Sequence, residues 1–322
     1  MQRPTRSGAG RPLLKWAGGK RQLLPRIREH YPNEFQRYFE PFLGSGAVFF
    51  DLSSLGRLEG RSAILSDGNA DLIGCYEAVR DEPGAVIAAL QALASEHATR
   101  AGFYYEMRDH RYNPARADGT SPRTPAMAAM LLYLNRTGFN GLYRVNNRGG
   151  FNVPAGSYVN PRICDPGRIE EVSRILGASG VSLKVSSFDA QLEAAGSGDF
   201  VYCDPPYVPV SPTARFAHYT AGGFGEADQR RLQHCLFEAS QRGALIVMSN
   251  SSAPLVLALF SPEHLRKAGM VMRRIPARRA INAKASGRGP VDEVLVVSRA
   301  LGVARVRPSR PALGQLPVLR QA

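Results

Sequence analysis

Short β-prone runs separated by longer amphipathic stretches set the rhythm of this chain, and that rhythm lapses once. The runs Arg37–Phe42, Ser62–Leu65, Val181–Val185, Phe200–Cys203 and Ala244–Met248 have the length and apolar character of buried strands. Met270–Ile275 and Val291–Val297 read as a closing pair of strands. Between them, Gln22–His30, Ala47–Leu55, Ala70–Val79 and Glu226–Gln241 carry the spacing of helices. Strands alternating with helices predict an α/β fold, a doubly wound sheet with helices on both faces. From about Pro83 to Asp165 the strands disappear. Val86, Ile87, Leu90 and Leu93 make one helical face there, and Thr124–Leu134 is an apolar helix. Residues 1–12 and the stretch beyond Leu301 show no apolar period and read as disordered arms.

The candidate chemistry sits where strands end. Phe200–Cys203 runs straight into Asp204-Pro205-Pro206-Tyr207, and prolines cannot continue a sheet ladder. The carboxylate therefore leaves the carboxyl edge of the sheet, where open α/β sheets bind ligands. Asp204 and the Pro205 carbonyl can accept hydrogen bonds from an amino group, and Tyr207 can stack on a flat ring. The plain alternative is a Pro-rich turn with Asp204 as a helix cap. Leu43-Gly44-Ser45-Gly46 follows the first strand and opens a helix, a nucleotide-edge arrangement, but Phe49 stands where a dinucleotide fingerprint needs its third glycine. That weakens NAD or FAD and leaves adenosine-type ligands. Asp67, at the end of the next strand, is placed to accept from ribose hydroxyls, or else to cap the helix from Ala70. Upstream, Lys15-Trp16-Ala17-Gly18-Gly19-Lys20 offers a stacking face, a close backbone approach and a cation.

Composition narrows the partners. The 322 residues are 44% hydrophobic and 21% charged, enough for a sizeable core. No apolar run approaches membrane-spanning length and no secretory leader is visible, so a membrane partner is not expected. Cys75, Cys164, Cys203 and Cys235 are scattered without a CxxC pair, which argues against zinc and for a reducing, cytoplasmic setting. The net charge is +14, with eight Lys/Arg and no acid from Arg266 to Arg288. A polyanion, nucleic acid ahead of membrane, follows. Arg278–Pro290, linking the last two strands, reads as mobile until it meets a partner. The segment Asn135–Pro154 holds five Asn, three Arg and no acid. Arg and Asn are the usual readers of guanine and adenine edges, and an apolar side chain can wedge into a base step. A glycine-rich hairpin with structural Asn turns is the alternative.

Taken in order, Lys15–Lys20, Phe39-Glu40-Pro41-Phe42-Leu43-Gly44-Ser45-Gly46, Ser66-Asp67-Gly68-Asn69 and Asp204–Tyr207 resemble the Dam-type, D12 class DNA adenine-N6 methyltransferases. Ser249-Asn250, Ala280-Ile281-Asn282 and Val291-Asp292-Glu293 match as well, so the resemblance covers about Leu13 to Ser298. It implies a Rossmann-like, class I methyltransferase sheet, doubly wound and mixed, formed by 13–82 and 166–300. It also implies an inserted, mainly helical target-recognition domain at 83–165, with basic arms at 1–12 and 301–322. The implied activity is transfer of a methyl group from S-adenosylmethionine to adenine N6 in double-stranded DNA, at GATC, with the base flipped out and no metal. Asp204, Pro205 and Tyr207 would be catalytic. Trp16, Lys20, Phe42, Gly44, Gly46, Asp67 and Asp204 would line the cofactor, with Lys20 on its carboxylate side. Phe139, Asn140, Leu142 and Arg144 would meet the DNA, Phe139 filling the gap left by the flipped base. A monomer with no obligate protein partner is expected. The rival readings are a non-enzymatic basic DNA-binding module and an amino-group methylase of cytosine or RNA. Cys203, beside the motif, is expected to point inward and be structural.

Overall fold

The structure, a computed structural model, describes residues 10–16, 20–208, 223–278 and 290–301. Seven strands form one sheet: β1 (Arg37–Glu40), β2 (Ser62–Asp67), β3 (Val181–Val185), β4 (Phe200–Cys203), β5 (Leu245–Ser251), β6 (Met270–Arg278) and β7 (Pro290–Ser298). Their order across the sheet is β3-β2-β1-β4-β5-β7-β6. β1 to β5 are parallel, and β7 runs antiparallel between β5 and β6. The sheet is doubly wound and mixed, as the alternation predicts, and its winding reverses between β1 and β4. The carboxyl ends of those neighbouring strands open a crevice there.

Twelve α-helices flank the sheet: α1 (Leu24–Arg28), α2 (Ala47–Ser54), α3 (Ala70–Asp81), α4 (Pro83–Thr99), α5 (Phe103–Glu106), α6 (Asn113–Ala117), α7 (Pro125–Thr137), α8 (Pro166–Leu176), α9 (Phe188–Ala194), α10 (Glu226–Gln241), α11 (Pro254–Leu259) and α12 (Pro262–Lys267) among the described residues. A π-helical segment, Met107–Tyr112, joins α5 to α6. The period of two along β4 explains the layering. Phe200 and Tyr202 enter one core with Tyr38, Val247 and residues of α3, α4, α7 and α8. Val201 and Cys203 enter the other, with Phe39, Ile246, Met248 and residues of α10 and α11. Burying a side chain of this size contributes about 1.5–3 kcal/mol. The first core runs without a break from the sheet into α4 and α7.

Several boundaries differ from the sequence reading for local reasons. β1 stops at Glu40 because Pro41 has no N–H to give the ladder. α7 runs three residues past Leu134, from the Thr124 cap to Gly138. α1 is only five residues long and follows a 3-10 turn at Lys20–Gln22. α8, amphipathic with Ile169, Val172 and Leu176 buried, is a helix beyond those the periodicity predicts above. Gly10 to Pro12, expected within a disordered arm, are described, and Gly10 lies against Ser54 at the end of α2. Residues 1–9, Gly18 and Gly19, most of the Arg278–Pro290 connection with Ala280-Ile281-Asn282, and the tail from residue 302 lie outside the described residues.

Candidate active site

Asp204 leaves β4 at the crevice, and its surroundings come from four other segments. Lys20 Nζ lies 2.8 Å from Asp204 Oδ1, and the lysine side chain is only 4% exposed. Ser249, on the adjacent strand β5, donates its hydroxyl to the same oxygen at 2.9 Å. Tyr202 OH stands 3.3 Å from Ser249 Oγ beneath it. Burial pushes the Asp204 carboxyl above the usual carboxylate range, while Lys20 and Ser249 pull it back. Tyr207 donates its hydroxyl to Glu293 of β7 at 2.6 Å, and the Lys20 ammonium rides 4.5 Å from its ring centroid. Behind the motif, Gln229 of α10 donates to the Pro206 carbonyl (2.9 Å), and Asn250 donates to Gln229 (3.1 Å). The two prolines are thus fixed from behind, while Asp204 presents Oδ2 beyond the two bonds to Oδ1.

Cys203 is buried and its thiol is pushed far up by burial, so it is no thiolate nucleophile. Its inward direction follows from strand alternation, as expected.

Beside this centre the ends of β1 and β2 form a second group. Gly44 takes φ +48° and Gly46 φ +66°, which favour glycine. Gly44 N donates to Asp67 Oδ2 at 3.0 Å, and Asn69 N donates to Asp67 Oδ1 at 3.0 Å. Asn69, not Asp67, caps α3, accepting from the N–H groups of Asp71 and Leu72. Burial raises the Asp67 carboxyl to about 6 against those backbone donors. The indole of Trp16 lies over Gly44, where a Cβ would stand 2.9 Å from its Cδ1. Phe42 stacks on Phe188 of α9 with centroids 5.4 Å apart. A glycine turn, an acid on the next strand and an aromatic face suit a nucleoside. The buried Asn69 Nδ2 makes no well-formed hydrogen bond and lies toward the Tyr143 hydroxyl.

Lys20 was read as a cofactor residue, yet its ammonium stands on Asp204. The described contacts thus put it at the Asp204 centre, on Asp204 and over Tyr207. Glu40, fully buried at the end of β1, accepts from Tyr38 OH (2.7 Å) and Phe49 N (3.1 Å) through Oε2. Burial, with Asp204 and Asp67 adding repulsion, raises it to about 8. Ser249, Glu293 and Glu40 lie in stretches that carry the resemblance but are given no role there, and Gln229 lies outside them. Ser249 could have been found from its place at the end of the strand that neighbours β4.

The segment 135–154 is a hairpin-like loop pinned by its own asparagines. Asn135 accepts from Lys15 N and donates to the carbonyls of Lys15 and Gly141. Asn146 accepts from Arg148 N and Gly150 N in the turn, and Asn152 accepts from Arg144 Nε at 2.7 Å. Three of the five asparagines are thus structural, the alternative weighed above. Phe139 is 47% exposed and Asn140, at φ 54°, is exposed beside it. Leu142 packs half-buried against the core, and Arg144 is half-buried. These four do not touch the Asp204 centre in the described bonds; they share one loop.

The model of the D12 class N6 adenine-specific DNA methyltransferase family matches residues 16–272. A type II methyltransferase, M1.LlaDCHI of Lactococcus lactis subsp. cremoris, is 38% identical over 290 residues, 89% of this chain and 95% of its own. Type II methyltransferase M.MjaIII of Methanocaldococcus jannaschii is 37% identical over 301 residues, 89% of this chain and 99% of its own. A DNA adenine methylase of Vibrio cholerae is 34% identical over 288 residues, 89% of this chain and 95% of its own.

Proposed function

The chain belongs to the D12 class N6 adenine-specific DNA methyltransferases, and from that premise we propose that it methylates adenine in duplex DNA at GATC with S-adenosylmethionine as donor. The observation that carries the catalytic assignment is Asp204 at the exit of β4, with Oδ1 held by Lys20 and Ser249 and Oδ2 left for a substrate donor. An adenine amino nitrogen is a poor nucleophile because its lone pair is spread into the ring. Hydrogen bonds from its two N–H groups to Asp204 Oδ2 and the Pro205 carbonyl localise that pair and stabilise the charge that develops on nitrogen. When bound, the donor supplies an activated methyl on a sulfonium, whose sulfur takes the bonding pair as the N–C bond forms. The surplus proton then leaves the amine, and Asp204, its carboxyl raised by burial, is placed to take it. Tyr207, braced by Glu293, offers the stacking face for an extruded base.

Trp16, Phe42, Gly44, Gly46 and Asp67 would hold the donor, and Lys20 would stand between its carboxylate and Asp204. Residues 83–165 would act as the target-recognition domain. There Phe139 would fill the gap left by the flipped base, Asn140 would meet an adenine edge or a phosphate, Leu142 a thymine methyl and Arg144 a guanine. Among the described residues no helix is long and apolar enough to cross a membrane. We read the protein as a cytoplasmic monomer that visits each strand of a palindrome separately.

The test is single-molecule sequencing of plasmid DNA exposed to the protein and to Asp204→Ala. N6-methyladenine at GATC is expected with the native chain, and a loss of at least about 10²-fold with the variant, which stays folded and binds DNA. Substantial turnover by Asp204→Ala would reject the catalytic assignment. Methylation at other sites would reject GATC alone.

A further inference from the structure

Two parts of the molecule assigned to different ligands meet at one side chain. From the nucleoside edge, Gly44 N bonds Asp67, Asp67 accepts from Asn69 N, and Asn69 caps α3 at Asp71. Asp71 Oδ2 then accepts from Tyr143 OH at 2.5 Å and from Arg116 Nε at 2.7 Å. Tyr143 belongs to the recognition loop. Its ring stacks on Trp16 with centroids 5.4 Å apart and planes 24° apart, and it meets Phe151 of the same loop edge-on at 5.7 Å. Arg116 continues the path to the Gly149 carbonyl in the loop's turn and stands 3.4 Å from Tyr143 OH. Each link is a hydrogen bond or a ring contact. Together they run unbroken from Gly44, under Trp16, to the turn of the loop. Tyr143 is 3% exposed, and burial beside Asp71 raises its phenol far above its usual range, so it stays neutral, donating to Asp71 and accepting from Arg116.

A ligand seated over Gly44 and against Trp16 must press on the Tyr143 ring or on the start of α3. We propose that Tyr143 is a positioning residue that couples occupancy of the methyl-donor edge to the geometry of the 135–154 loop, so that donor and cognate DNA bind cooperatively. The inference rests on the reading of that loop as the DNA reader and of the β1–β2 edge as the donor site. Coupling between two sites is reciprocal, so the donor must tighten DNA by the same factor as DNA tightens the donor. Such factors are commonly about 5–150-fold. A relay of packed rings and shared hydrogen bonds is a physical route for it. Tyr143→Phe keeps both ring contacts and removes the hydroxyl that bonds Asp71 and Arg116, which tests the node as a whole.

The experiment titrates S-adenosylhomocysteine and a cognate duplex, each with and without the other. Emission of Trp16, the chain's one tryptophan, follows the first ligand, and fluorescence anisotropy of the labelled duplex follows the second. For the native chain we expect each ligand to tighten the other about tenfold or more. In Tyr143→Phe the factor should fall to about twofold or less, with each ligand's separate affinity within about threefold of native. Arg116→Gln, which attacks the same node from the far side and leaves the Trp16–Tyr143 stack in place while removing the guanidinium over Tyr112, should lower the factor as well, and it serves if Tyr143→Phe fails to fold. Native coupling in either folded variant, or none in the native chain, overturns the proposal. The functional reading fails separately: a native chain that leaves no methyladenine in duplex DNA refutes that reading. If methylation maps to another sequence, the same cycle is run on the mapped site.

Discussion

At Asp204 burial and charge pull in opposite directions, and the balance sets the pH at which the protein works. The ionised group accepts hydrogen bonds from substrate far more strongly than the acid form does, and only the ionised form can take the amine's proton. Burial raises its pKa and the Lys20 ammonium lowers it. Activity should therefore fall as pH drops through the folded-state pKa of Asp204, an acid limb above the ordinary carboxylate range. Lys20→Met removes a lowering influence, so the limb should move to higher pH, with activity recovering as pH is raised at saturating donor. A profile lowered uniformly, its limb unmoved, would show that Lys20 serves the donor and not Asp204. The two assignments of Lys20, from sequence and from structure, part at this measurement.

At the level of elements, the 135–154 loop, which we propose reads the DNA, is held by side chains that the sequence reading offered to that DNA. Arg144 spends Nε and one Nη on Asn152, leaving its remaining N–H groups for an outside acceptor. The bond to Asn152 orients the guanidinium before DNA arrives, and pre-orientation lowers the entropy lost on binding. Arg144→Ala should relax discrimination at one base pair of the target by about 1–3 kcal/mol while non-cognate binding changes little. Asn152→Ala should reproduce part of that loss with Arg144 intact. Competition binding with single-substituted duplexes reads both, and equal losses across every position would assign Arg144 to a phosphate. Behind the loop, Tyr104 and Arg108 both donate to the Val153 carbonyl, and Asn113 bonds Phe151 N and O. The α5–α6 segment is therefore the loop's scaffold.

Over the whole molecule, the cost of the site appears as buried acid. Glu40 sits in the core beneath Asp204 and Asp67 with its pKa raised from 4.5 to about 8. The folded state holds its proton across that window and the unfolded chain releases it. The unfolded state thus binds fewer protons, and stability falls as pH rises. The contribution is fully present below about pH 4.5 and is lost as pH climbs through about 8, with a slope of at most roughly 1.4 kcal/mol per pH unit. Glu40→Gln keeps an acceptor for Tyr38 OH and Phe49 N and does not titrate. Its Tm between pH 5 and 8 should be flatter than that of the native chain, and parallel curves would mean that Glu40 stays ionised.

The order of elements, the two-faced sheet and the place of Asp204 at a strand exit were all legible in the sequence. They rest on local physics: the period-two pattern of Phe200–Cys203, the prolines that must end β4, and the glycines of the Leu43–Gly46 turn. The asparagine that caps α3 and the eleven-residue α8 are equally local, and the sequence reading assigns neither: Asp67 stands as the cap candidate there, and α8 lies in the gap between the helical stretch and Val181. What tertiary structure alone decided depends on residues far apart in the chain. Nothing near Lys20 in sequence says that its ammonium lies on Asp204, 184 positions later, or that Ser249 and Glu293 brace the same motif. The exposed Asn-rich loop also could not be sorted by composition. Whether an asparagine faces DNA or holds a turn depends on which backbone groups the fold leaves without partners, and only packing determines that.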